Sequence, residues 1–386
     1  IEVSLAVVLL VGAGLMIRSV RNLVALDPGF DTQSVLTLHV SIPRTTALAG
    51  SAARPVAEGR ALIERVRAVP GVVDAAIGTD LPLDGGAAAS FYTAEGQPPV
   101  NPQNMPRIYV HRVTPAFFSA LRIPFRAGRP FTEPEISPAS SVVIVSEGVA
   151  TRFWPGQDPI GRRVKFGPPA STSPWMSIVG VVAEVKYRGL PENPTADPDI
   201  YLPFADRNAL VGIVVRTTVA PGSLTSAVRR AIRSADPSIP VYNVATMEEL
   251  TARQTAQSRF TMWLMGVFAA CALMLASVGI YGVMSYLVAR RTQEIGIRLA
   301  LGAGAGDILR LVVGNGARLI GVGIVLGLVC SAALSRLVST LLFGVSAADP
   351  ASAAAVAVLA AVAVLACYIP AARASRIDPL SALRHD

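Results

Sequence analysis

Histidines, cysteines and paired carboxylates are where chemistry would start, and this chain is poor in the first two. Its three histidines are His39, His111 and His385, and none has a second histidine or a cysteine at metal-ligand spacing. A serine hydrolase would need a histidine beside an activated serine, whereas His39 and His111 each fall inside a strand-like run, where a structural or surface role is expected. Asp80 and Asp84, beside Gly85 and Gly86, form an acidic turn that reads as a loop rather than a cation site. The run Gly302-Ala303-Gly304-Ala305-Gly306 lacks the lysine and following hydroxyl of a phosphate loop, so the chain does not bind ATP by that route. No catalytic residue, metal ligand or cofactor site is expected.

The segment that does invite a role is Arg290 to Gly306. Glu294 and Arg298 stand at i, i+4 in the favourable order, and Ile295 with Leu299, and Ile297 with Leu301, supply apolar neighbours. A short amphipathic helix follows from this, broken by the glycine-rich turn, with Asp307 as N-cap of the next helix. Such a helix either rests on a lipid surface or acts as a lever that docks into another protein.

The elements that must position this segment are set by composition. Of 386 residues, 52% are hydrophobic and 16% charged, with a mean hydropathy of +0.50, against roughly 25% charged residues in soluble chains. Bilayer segments are therefore expected. A spanning helix needs about 20 apolar residues, and four uncharged runs qualify: Val3 to Ile17, Phe260 to Ala289, Leu319 to Ser335 and Pro350 to Ala372. The first is short and fits a helix whose first turns lie upstream of Ile1, so the chain reads as a fragment. The third is long enough if it starts near Ile308 and Arg318 snorkels. Small residues recur along these runs, among them Ala269, Ala272, Ala276, Gly279, Gly321, Gly323 and Gly327, and predict a closely packed bundle. All three cysteines, Cys271, Cys330 and Cys367, lie in these apolar runs, so the soluble part holds no disulfide.

Short loops orient the bundle. Arg290, Arg291, Arg298, Arg310 and Arg318 lie between the second and third spans, and Arg373, Arg376 and Arg384 lie in the tail, whereas the loop between the third and fourth spans has only Arg336. The first two stretches are therefore cytoplasmic, and residues 22–258 lie outside. Arg18 and Arg21 run against the rule, at the edge of a long domain where it has least force. The net charge of +8 does not imply nucleic acid, because the arginines do not cluster with interleaved aromatics.

From Asp31 onward the pattern is α+β. Strands are expected at Ser34 to Ile42 (half-buried, by its alternation), Val72 to Ile77, Arg107 to Val113, Val142 to Val145, Ser177 to Val185 and Leu210 to Arg216, with helices at Pro55 to Val69 and Ser223 to Ala235. The Pro-rich stretches Gln97 to Pro106 and Pro191 to Pro198 read as surface loops.

RRTQEIGIRLALGA at 290–303 resembles the signature of FtsX-type permeases, and the tail from Ile369, IPAARASRIDPLSALRHD, resembles the closing motif of the same family. The outer part is similar to the periplasmic domain of MacB-type permeases, through RVTPAFFSALRIPFRAGRPF at 112–131, VVIVSEGVATRFWPGQDPIGRRVKF at 142–166 and SIVGVVAEVKYRGL at 177–190. The resemblance implies an α-helical membrane protein with four spans and a two-lobed α+β extracytoplasmic domain inserted between the first and second. One lobe would combine residues 32–80 and 208–255 around the other. It divides the chain into a first transmembrane helix at 1–21, a MacB-like periplasmic domain at 22–258 and an FtsX-like permease domain at 259–386.

It further implies the membrane subunit of an ABC-type complex in the cell inner (plasma) membrane. Arg291, Glu294, Ile295, Gly296, Arg298, Gly302 and Ala303 would contact a separate ABC ATPase subunit. A second permease unit would complete it, as a homodimer or as a missing first half of the same chain, and periplasmic adaptor proteins are further partners. Its output would be export of a drug, peptide or lipoprotein, or a non-transporting mechanical or sensory signal to another envelope protein. An envelope enzyme fits poorly with so little histidine and cysteine.

Overall fold

A computed structural model describes residues 2–41, 54–86, 88–97, 107–137, 139–190, 198–205, 210–291, 294, 297–298, 301, 304–337 and 350–374. Most of the two Pro-rich loops, the loop before the last span and the tail beyond residue 374 lie outside them. The chain divides into two compact units, Leu26–Gln254 and a second made of Ile1–Ala25 with Thr255–Asp386.

The second unit is helical. α1 (Glu2–Val24), α6 (Met247–Arg290), α7 (Ala305–Leu337) and α8 (Pro350–Ala374) are each long and apolar enough to cross a membrane. α1 does not stop at Arg18 but continues through Arg21 to Val24. At 44 residues, α6 is roughly 66 Å long, about twice a hydrocarbon core, so its charged first turns stand clear of the bilayer. α7 opens at Ala305, which places Asp307 inside the first turn and not on the cap expected for it.

Small residues do bring these helices together. Ala6, Val7, Val11 and Leu15 of α1 are buried with Ala272 and Ala276 of α6 and Ala355 and Leu359 of α8. A Cβ on Gly323 or Gly327 of α7 would stand 2.8 or 2.6 Å from Val3 or Val7 of α1, so those glycines permit the close approach. Gly282 and Gly321 face open space. Phe260, Trp263, Met274 and Leu275 are exposed, as lipid-facing side chains are.

The first unit is the α+β domain. Its strands are β1 (Val35–Ser41), β2 (Val72–Gly78), β3 (Ala88–Ala94), β4 (Arg107–Val113), β5 (Phe125–Gly128), β6 (Val142–Ser146), β7 (Arg163–Phe166), β8 (Met176–Val182), β9 (Asp199–Pro203), β10 (Leu210–Thr217) and β11 (Val241–Thr246). Its helices are α2 (Arg54–Arg67), α3 (Phe117–Leu121), α4 (Glu147–Phe153) and α5 (Thr225–Ala235). The strands run β11-β1-β10-β2-β4-β3-β7-β8-β6-β9, with β5 on β8 and a parallel β4–β9 pairing. Only Gly78 and Val113 pair across β2 and β4, so the sheet narrows there into two lobes. In one, Leu36, Leu38, Ile77 and Ile213 bury against Leu62 and Val66 of α2 and Val228 and Ile232 of α5. In the other, Tyr92, Ile108, Val145 and Ile178 surround Trp154.

One expectation fails in detail. The alternation of β1 predicts a half-buried strand, yet Val35 to Val40 are all buried. Its polar positions face inward because a turn after β2 covers that side. Leu81 fills the space left by Gly212 of β10, and His39 donates or accepts across 2.8 Å with Asp84.

Candidate functional site

The expected coupling segment lies between α6 and α7. Glu294 and Arg298 pair at 2.6 Å across one helical turn, with 48% and 44% of the side chains exposed. At that exposure the pair adds only about 0.3–0.5 kcal/mol, enough to favour the turn but not to build one alone. The Leu301 N–H donates to Ile297 O at 3.0 Å, and the Arg291 N–H to Val288 O at 3.1 Å, continuing helical geometry on both sides. Ile297 and Leu301, four residues apart, are 50% and 82% exposed. An i, i+4 aliphatic pair on one face, beside an ion pair, is the surface a partner helix or groove would cover. Ile295, Gly296, Gly302 and Ala303 lie outside the described residues.

A second cluster, which the sequence did not single out, sits in the α+β domain. His111 of β4 is fully buried with one ring nitrogen against Asp80 Oδ2 and the other 2.9 Å from Asp199 Oδ1, itself fully buried on β9. Both neighbours are carboxylate oxygens, so both ring nitrogens donate, and His111 is an imidazolium. Burial alone would lower its pKa, but the Asp80 charge and the hydrogen bonds to Asp199 and Asp80 outweigh it and hold the group up at about 9. Tyr187 stacks on the ring at a centroid distance of 3.7 Å, with Tyr201 at 5.3 Å. Arg188 approaches Asp199 at 3.4 Å and lies over the Tyr109 ring.

From the sequence, a structural or surface role is expected for His39 and His111 and a loop for Asp80 and Asp84. The structure joins them: the turn carrying Asp80 and Asp84 is held by one histidine from each lobe, His39 on β1 and His111 on β4. A usable signal was the spacing of the two acids with a histidine inside each of two strands. The parallel β4–β9 pairing that brings in Asp199 had none.

Residues 3–235 match the MacB-like periplasmic core domain, and residues 266–379 match the FtsX-like permease C-terminal domain. The chain belongs to the MacB-like, FtsX-like permease family. It is 24% identical over 313 residues to the uncharacterized ABC transporter permease YvrN of Bacillus subtilis (strain 168), covering 77% of this chain and 75% of that one. It is 27% identical over 298 residues to the macrolide export ATP-binding/permease protein MacB of Hahella chejuensis (strain KCTC 2396), covering 72% of this chain and 43% of that one. The crystal structure of the periplasmic region of MacB from Actinobacillus actinomycetemcomitans aligns with 59% of this chain and 94% of that one, at a TM-score of 0.39 and 11% identity. This permease spans about half the length, or less, of the MacB proteins it matches.

Proposed function

We propose that this permease is the membrane subunit of an ABC-type complex, with a separate ATPase seated on Arg290 to Gly306. ATP-driven movement there passes along α6 to the extracytoplasmic domain and serves export. The observation that carries this reading is the uncovered Ile297–Leu301 face beside the Glu294–Arg298 pair, at the end of a helix continuous from Met247 to Arg290. The assignment of 1–21, 22–258 and 259–386 to first helix, periplasmic domain and permease domain belongs to this reading. So do the inner-membrane location, a second permease unit, adaptor proteins and the contact roles of Ile295, Gly296, Gly302 and Ala303. Export is supported by the similarity to the macrolide export ATP-binding/permease protein MacB.

The test is reconstitution of the full-length protein in lipid nanodiscs with and without its candidate ATPase, measuring phosphate release. The permease alone is expected to release none, and the complex to turn over. Glu294→Ala, Arg298→Ala and Leu301→Ser should leave expression and insertion intact, since exposed substitutions stay within about 0.5 kcal/mol. Coupled turnover should fall about five-fold or more, the scale of losing an interface residue worth over about 1 kcal/mol. Full coupled turnover in all three variants would reduce the segment to a lipid-facing helix.

A further inference from the structure

The two arginines that run against the charge bias meet a feature of the helical unit. A cavity of about 960 Å³ opens between α1, α6 and α8, lined by Leu10, Ala13, Gly266, Ala270, Ala354 and Val358 among others. Arg18 and Arg21, with Asn22, line the same cavity. They are exposed, and their i, i+3 spacing puts both on one face of α1. None of the described residues lining the cavity is acidic.

The chain path gives its depth. α1 leads at its C-terminal end into the extracytoplasmic domain, so Arg18 to Ala25 stand at the outer surface and the apolar wall from Ala13 back to Leu10 lies deeper. The volume is that of a site for one amphiphilic molecule. An apolar trough ending in two guanidinium groups presents paired donors where a phosphate would stand, and small residues leave room for a chain below.

We propose that this groove is a binding site for an anionic phospholipid of the extracytoplasmic leaflet, with its headgroup phosphate on Arg18 and Arg21 and one acyl chain between α1, α6 and α8. A zwitterionic lipid carries the same phosphate but cancels its charge, so the site selects by net headgroup charge. Each basic side chain near a lipid surface contributes about five-fold to such selectivity.

Native mass spectrometry of the full-length chain released from nanodiscs tests this, using phosphatidylglycerol and phosphatidylcholine with identical acyl chains, and glycerol phosphate as the headgroup without chains. Retained phosphatidylglycerol should exceed phosphatidylcholine by an order of magnitude, and glycerol phosphate should not be retained. Arg18→Gln with Arg21→Gln should remove the preference, and the double lysine variant should restore most of it. Gly266 faces open space, so Gly266→Phe can be accommodated and should expel phosphatidylglycerol with both arginines intact; this keeps the test decisive if the double glutamine variant fails to insert. Equal retention of the two lipids, or a preference untouched by both variants, would overturn the proposal. So would quantitative disulfide dimers of Ala354→Cys in membranes, with the native cysteines replaced by alanine, because a second copy would then fill the groove.

Discussion

Raising the pH should loosen the extracytoplasmic domain through one residue, His111. Its folded pKa of about 9 stands above the ordinary histidine value of 6.5. A raised pKa contributes stability that is fully present below the unfolded value and is lost as pH climbs through the folded one. At 1.36 kcal/mol per unit, the shift amounts to about 3 kcal/mol in full, of which about 2 kcal/mol disappears between pH 7 and pH 9. For a domain of this size that corresponds to a fall in melting temperature of about 4–8 °C.

The assay is thermal unfolding of the full-length protein in nanodiscs across that range, read by hydrogen exchange of peptides from β4, β9 and residues 79–86 after correction for intrinsic exchange. His111→Gln removes the fully buried partner of the Asp199 carboxylate and leaves Arg188, at 3.4 Å, as the cation beside it, a change that costs up to about 3–5 kcal/mol. The more telling consequence is that the decline between pH 7 and 9 should vanish in this variant. Asp80→Asn, which removes the charge that raises His111 most, should instead move the decline to lower pH. Stability that stays flat in the wild type, or a slope that persists in His111→Gln, would refute the imidazolium assignment.

Two further outcomes follow. The segment 26–254 is compact by itself and contains no cysteine; expressed alone it should melt cooperatively, at a temperature unchanged by reductant, and aggregation would count against it. In whole cells with a permeabilised outer membrane, Ser223→Cys should react with an impermeant thiol reagent, whereas Leu301→Cys should react only once the inner membrane is broken; reversed labelling would invert the orientation.

The spans and the first lobe were legible because each rests on a local pattern. Phe260 to Ala289 is uncharged whatever it packs against, and the strand expected at Val72 to Ile77 matches β2 to within one residue. α6 was located but not its start, because Met247 to Arg259 reads as polar helix with no sign that it joins the span; the structure begins it at a capping box, Glu249 N–H to Thr246 Oγ1 at 3.1 Å and Thr246 N–H to Glu249 Oε2 at 3.0 Å. β5 and β7, at four residues each, are too short to show a period of two. At the coupling segment the Glu294–Arg298 pair was legible for the same local reason. The His111 cluster was not, since its partners lie 31 and 88 residues away and only strand pairing brings them within reach.

That cluster stands where both covalent attachments of the domain end. On the side of α1, the chain enters through Asp27 to Gln33, where the Lys186 N–H donates to Pro28 O at 3.0 Å; the next residue, Tyr187, is the ring stacked on His111. The buried Arg216 fixes the same entry, donating to Asp31 O at 3.2 Å, to Gln33 O at 3.1 Å and to Ala120 O at 2.5 Å. On the side of α6, Gln254 Nε2 donates to Leu83 O at 2.8 Å, in the turn whose Asp80 and Asp84 hold His111 and His39. A pull on either attachment therefore acts on a segment tied directly to the buried imidazolium. Separating it from either carboxylate strands a charge in the interior, at a cost of several kcal/mol.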